Sequence, residues 1–243
     1  MKRILIFSLA YFPDVVGGAE VALKEITDRI SPEEIVFDMV TLRFDSNLPK
    51  FERIGNINVY RIGFALRHPS ISNLVKFPLV LNKYFFFFFF FLKARALHKK
   101  NHYDGIWAMM ANYAGFAALF FKMCFPTVRY LLTLQEGDPI EYIKNRVRFV
   151  SSLFEKIFTR ADFVQTISHY LASFARDMHY DGPLEIVPNA VNVAHFSQEY
   201  AVEKLFDLKQ KLSKQIDNIF LITTSRLVKK NAVDEVIRAL PLL

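Results

Sequence analysis

A single cysteine stands in 243 residues. It excludes an intramolecular disulfide and agrees with a reducing compartment. Its neighbours Met123 and Phe125 make Cys124 read as a buried thiol without the surroundings of a nucleophile. No Cys/His pairing has zinc spacing, so no metal is expected. There is no zinc finger and no aromatic–basic RNP pattern, which argues against nucleic acid as a partner. No unbroken apolar run reaches the about 20 residues of a membrane span. The first strand–loop–helix unit lacks G-x-G-x-x-G, and the second strand ends at Thr41-Leu42-Arg43 without an acidic ribose ligand. A nicotinamide dehydrogenase is therefore disfavoured. Lys2-Arg3 and the apolar run behind them resemble the start of a signal peptide. That run ends at Pro13-Asp14 and a glycine–helix unit follows, so a core strand explains it better.

With 52% apolar and 23% charged residues, the chain can bury a sizeable core and is not disordered. Its length allows one large domain or a domain and a half. The formal net charge is +7. Lys93, Arg95, Lys99 and Lys100 cluster with His98 and His102, and Lys144, Arg146 and Arg148 form a second group. Anionic lipid, phosphorylated ligands and a merely solvated basic face all fit such patches.

The run Lys2–Leu9 is short and continuously apolar, as in a strand buried on both faces of a parallel sheet. A loop ending in Gly17-Gly18 follows, then a helical pattern with Leu23, Ile26 and Ile30 on one side. Strand, glycine loop and helix N-terminus form an arrangement that binds phosphate, because free N–H groups and the helix dipole converge where a ligand can approach. An ordinary turn with two glycines fits the same residues. Further strands are expected at 35–42, 57–62, 104–108, 128–134, 162–167 and 184–187. Helices are expected at 113–125 and from about Arg146 to Phe158, and a third runs from the Ser168 cap to about Met178. This alternation predicts a doubly wound parallel α/β domain over 1–190. A linker is expected at 191–217. The first βα unit of a second, incomplete Rossmann-like domain is expected at 218–243, opening with a strand at 219–224.

Phe85 to Phe91 are seven consecutive phenylalanines. As a helix they sweep about 700°, so they present an aromatic face in every direction. Three readings stand: a helix buried on most sides, a membrane-surface anchor with basic flanks from Lys83 and Lys93, or a low-complexity expansion that the fold tolerates.

The glycine loop Gly17-Gly18-Ala19-Glu20, the join from Ala161-Asp162 to Ser168, Pro188-Asn189-Ala190-Val191-Asn192, and Ser225-Arg226-Leu227-Val228 with Val233-Asp234 together resemble the family-4 retaining glycosyltransferases. The resemblance covers essentially the whole chain. It implies the GT-B architecture, in which two Rossmann-like domains face each other across a cleft. It also implies metal-independent transfer from a nucleotide sugar to a glycan or lipid-linked acceptor, with no cofactor. Gly17, Gly18 and Glu20 match the loop near the donor diphosphate and the acceptor. Gln135 stands where the family usually has a histidine touching the donor sugar, and with Glu136 it is the candidate catalytic pair. Asp138, like Glu136, is a candidate for acceptor hydroxyls. Trp107 and Met109 stand where many relatives carry histidines, a departure that bears on acceptor identity. Arg226 matches the arginine that grips the diphosphate. The companion lysine, five residues on, is here Asn231, with Lys230 one place earlier. The glutamate pair that holds the donor sugar and ribose lies farther along than this chain extends. Truncation early in the second domain, and poor turnover by residues 1–243 alone, are therefore expected. The competing reading is a non-catalytic product that retains acceptor or membrane-surface binding. A cytoplasmic location, peripheral at the inner face of an anionic membrane, follows from the same resemblance.

Overall fold

The computed structural model describes residues 1–13, 17–69, 73, 76–225, 227 and 229–242. The apolar runs form strands of one sheet. β1 (Lys2–Phe7), β2 (Ile35–Leu42), β3 (Phe51–Ile54), β4 (Ile57–Ile62), β5 (Gly105–Met109), β6 (Arg129–Leu134), β7 (Phe163–Thr166) and β8 (Leu184–Ile186) lie in the order β3-β4-β2-β1-β5-β6-β7-β8. All neighbours pair parallel except β3 with β4. β3 was not expected from the sequence; it forms a hairpin with β4 around Gly55-Asn56. Gly55 has φ +55°, and a Cβ there would stand 2.1 Å from an Asp28 carboxylate oxygen. Only glycine fits that turn.

Alternate residues of each strand enter two cores. Leu5, Phe7, Ile106, Ala108, Tyr130, Leu132 and Leu134 pack under α2 (Leu81–Asn101), α3 (Tyr113–Cys124) and the later helices. Ile6, Met39, Val59, Trp107 and Met109 pack with Ala19 and Leu23 of α1 (Gly18–Thr27). Burial on both faces is why these strands read as continuous apolar runs. The expected helix from Arg146 to Phe158 is instead two: α4 (Ile140–Val147) and α5 (Ser151–Thr159), joined by a 3-10 turn, Arg148–Val150. α6 (His169–Asp177) starts where expected, its Ser168 hydroxyl accepting the Leu171 N–H at 3.3 Å. Cys124 ends α3 and is exposed, against the expectation of burial, because in that last turn Phe121 takes the core side and Met123 and Cys124 face outward.

The phenylalanine tract lies in α2, and one face of it is buried. Phe86, Phe90, Ala94 and Leu97 follow helical spacing and are closed from solvent. Phe86 and Phe90 stack at 3.7 Å, and Phe86 also meets Tyr113 of α3. Phe85, Phe87 and Phe88 remain 43–49% exposed. The reading of a helix buried on most sides is thus overturned, because α2 has a sheet and α3 on one side only.

The contacts divide the chain into two compact units, Met1–Ala190 and Val191–Leu243. The second carries α7 (Val193–Phe196), α8 (Val202–Lys211) and α9 (Val233–Ala239). The strand expected at 219–224 is not formed, and Ile219, Leu221 and Ile222 are exposed. A strand exists through a neighbour's ladder, and no described residue supplies one.

Phe86→Ala or Phe90→Ala is expected to destabilise the fold by about 3–5 kcal/mol, whereas Phe88→Ser should stay within about 0.5 kcal/mol. Urea unfolding monitored by circular dichroism checks this. Equal losses at all three positions would refute the one-sided packing.

Candidate functional site

The strand order reverses between β1 and β5. Crossovers leaving these two strands diverge to opposite faces of the sheet and open a crevice at its carboxyl edge. Four loops reach that edge: those after β1, β5 and β6, and the turn after β8.

The loop after β1 is tied down by Arg61 of β4. Its side chain is almost fully buried; Nη2 donates to the Phe12 carbonyl at 2.7 Å and Nη1 to the Pro49 carbonyl at 3.3 Å. Nη1 also pairs with Glu52 at 2.5 Å. A guanidinium is the one side chain able to span three acceptors in this way. Sequence reading missed it, although Arg61 falls in register with buried Ile57 and Val59. An arginine at an inward position of an alternating strand is the signal that was available.

Residues 14–16 lie outside the described ones, and the chain resumes at Gly17, the N-cap of α1. Its N–H donates to the Glu20 carboxylate at 2.7 Å, so Glu20 closes the helix start. A Cβ on Gly17 would stand 2.9 Å from that carboxylate, while a Cβ on Gly18 would meet nothing within 4 Å. Gly17 (φ −121°) needs no left-handed backbone. It leaves room for the cap, and Gly18 faces open space.

Glu136, after β6, brackets the end of β5: its Oε1 accepts the Ala111 N–H at 2.6 Å. Nearby backbone N–H groups favour its charged form, yet burial outweighs them and pushes it up to about 7. Among the described residues, Oε2 is buried without a partner. The Tyr130 hydroxyl is likewise buried and unpartnered, raised first by burial and then by the Glu136 charge. Gln135 is 8% exposed. Its amide exchanges hydrogen bonds with that of Asn189, Nε2 to Oδ1 at 3.2 Å and Oε1 from Nδ2 at 3.4 Å. The two segments flagged separately in the sequence are therefore joined across the end of β7.

A polar chain runs beneath this edge. Trp107 Nε1 donates to Thr133 Oγ1, Thr133 Oγ1 donates to Gln165 Oε1, both at 2.8 Å, and Gln165 Nε2 donates to the Val187 carbonyl. Trp107 and Met109, at the positions where histidines were looked for, are core residues. Asp138 is exposed, next to the Pro139 cap of α4. Arg226 lies outside the described residues, and Lys230 belongs to a 3-10 turn, Lys229–Asn231, in the second unit. Among the described residues no three His, Cys, Asp or Glu side chains are grouped to hold a metal ion. The edge thus combines a capped helix start with open space beside Gly18, an amide with both hydrogen-bonding senses, and a carboxyl group pushed up to about 7.

Comparison with known proteins places this geometry. The sequence profile described as Glycosyltransferase Family 4 matches residues 16–195. Sucrose-phosphate synthase from Thermosynechococcus elongatus superposes with a TM-score of 0.76 at 17% identity, covering 100% of this chain and 60% of that one. Anabaena Alr3699/HepE, solved with UDP and glucose, gives 0.62 at 17%, covering 100% and 58%. The catalytic domain of Arabidopsis thaliana starch synthase IV, bound to ADP and acarbose, gives 0.62 at 11%, covering 99% and 66%. The chain therefore spans less than two thirds of each of these, and at such identities the likeness shows the fold. No curated protein matches the sequence.

The Glu136 shift makes a signed prediction. Between its ordinary value of 4.5 and about 7, the folded chain holds a proton that the unfolded chain has released. Stability therefore falls as pH rises through that window. Glu136→Gln, which keeps the Ala111 bond without the charge, should stabilise by roughly 1–3 kcal/mol at pH 8 and by little at pH 4.5. Thermal melts at the two pH values check this, and an equal effect at both would refute it.

Proposed function

The chain belongs to Glycosyltransferase Family 4, and from that premise we propose that it moves a sugar from a nucleotide-sugar donor to a glycan or lipid-linked acceptor, with retention at the anomeric carbon. The observation that carries the reading is the carboxyl edge of the sheet, where an open Gly18 at the helix start after β1 lies on the same side as Gln135 and Glu136 after β6, with β5 between them. In the proposed reaction the bond from the anomeric carbon to the donor diphosphate breaks, and the acceptor oxygen takes that carbon as its proton leaves. Charge accumulates on the diphosphate, and positioned donors that stabilise it lower the barrier. Gly17 and Gly18 admit the diphosphate and the acceptor, with Glu20 fixing the helix start beside them. Gln135, held by Asn189, presents its amide to the sugar; Glu136 holds or releases a proton; Asp138 receives acceptor hydroxyls. The family resemblance alone assigns Arg226 and Lys230 to the donor, independently of the geometry described for residues 1–190. No metal or cofactor enters the scheme, and the protein works peripherally at the cytoplasmic face of the membrane.

The test is saturation-transfer NMR of the 243-residue protein with UDP-, GDP- and ADP-sugars, NADH, and glycan acceptors. Saturable contact with at least one nucleotide sugar and one glycan is expected. Gly18→Trp should weaken it at least tenfold, about 1.4 kcal/mol, with an unchanged melting temperature. Contact with NADH alone, or with no nucleotide sugar and no glycan, would overturn the proposal. Glycan contact without donor contact would support the non-catalytic alternative.

A further inference from the structure

Family membership leaves two surface features unexplained. α2 turns Tyr84, Phe85, Phe88 and Leu92 outward, 44–68% exposed, and the same stripe continues through Arg95 and Lys99, beside Lys100, all exposed. α2 contains no acidic residue. Lys93 is not part of the stripe; its ammonium sits over the Tyr60 ring at 4.6 Å. The second feature is α4 with its 3-10 turn, where Tyr142, Phe149 and Val150 are 44–86% exposed among exposed Lys144, Arg146 and Arg148. Arg148 lies over Phe149 and Arg146 over Tyr142, and Glu141 is the one acidic residue of the segment. Tyr113, at the start of α3, lies between α2 and α4 and touches α2 on its buried face, opposite the outward stripe. Its ring meets Phe86 at 5.5 Å, and its hydroxyl accepts from Arg146 Nη2 at 3.1 Å.

We infer that the outward stripe of α2 and the α4 turn form one docking surface for an anionic lipid bilayer. The surface brings a membrane-borne acceptor to the loops after β5 and β6. Its charge complementarity chooses the occupant: six exposed cations, Arg95, Lys99, Lys100, Lys144, Arg146 and Arg148, face one carboxylate. Each cation near a negatively charged leaflet adds to attraction, and half-exposed aromatic rings add apolar insertion. No described helix is long and apolar enough to cross a membrane, so α2 lies along the interface. Both parts start at the carboxyl edge, α2 following β4 and α4 following the Gln135–Glu136 loop of β6, while Arg95, Lys99 and Lys100, at the far end of α2, approach the opposite edge. The inference deepens the proposed function by naming where the acceptor resides. Its test does not depend on sugar transfer, so its failure leaves the proposed transfer reaction standing and removes only its membrane location.

Co-sedimentation with phosphatidylcholine vesicles, with and without phosphatidylglycerol, at low and high salt, tests it. Binding should require phosphatidylglycerol and weaken with salt. It should fall at least tenfold in Phe85→Ser/Phe88→Ser and in Lys144→Glu/Arg148→Glu. Each of these positions is exposed, so melting temperatures should hold. Phe149→Ser alone should weaken binding several-fold, which tests whether α4 shares the surface. Equal binding to neutral vesicles, or wild-type binding by both double variants, would overturn the inference. So would an absence of vesicle binding, and dimerisation removed by the same substitutions would then assign the surface to a second protein.

Discussion

The reversal of strand order beside β1 is the constraint on which the rest of this molecule depends. Each parallel connection must cross right-handed, so a chain that winds outward from β1 and then restarts at β5 sends its crossovers to opposite faces. The core divides accordingly, one half beneath α1 and the other beneath α2 and α3. Topology alone thus marks the carboxyl edge between β1 and β5 as the place where a crevice forms in open sheets of this kind.

The loops at this edge need a source of rigidity, and here it comes from polar side chains. Arg61 fixes the entry to the glycine loop, Glu136 joins the ends of β5 and β6, and the Gln135–Asn189 amide pair reaches across β7. These bonds have a cost. A carboxyl group buried enough to be pushed up to about 7, with one oxygen unpartnered, is a worse choice for stability than an amide. Such a residue at a strand end in a cleft marks a place where stability and chemistry pull apart.

Much of the architecture was legible because both-face burial writes an unmistakable pattern. The continuous runs at 2–7, 35–42 and 129–134 read best as buried strands, even where the first also resembled the start of a signal peptide. β3 escaped because Phe51–Ile54 is a short edge strand, half polar, although its Gly55-Asn56 turn was a usable hairpin signal. The phenylalanine tract could not be oriented, since an unbroken run has no period; only the position of α3 decides that Phe86 and Phe90 go inside. Gly18, Gln135 and Glu136 were candidates through resemblance and local pattern, and all three lie on the carboxyl side of the sheet. The pairing of Gln135 with Asn189, the bracket from Glu136 to Ala111 and the grip of Arg61 on Phe12 join positions 25 to 54 residues apart. No local pattern carries contacts of that range.

The central claim is that ligands enter at the carboxyl edge where the strand order turns. Amide hydrogen exchange of the protein with and without a mixture of UDP-, GDP- and ADP-sugars and a glycan acceptor tests it directly. The account predicts added protection confined, within residues 1–190, to segments 17–20, 110–112 and 135–138. Protection at the opposite edge, around 31–34 and 102–104, or a pattern unchanged by any of these ligands, would contradict it.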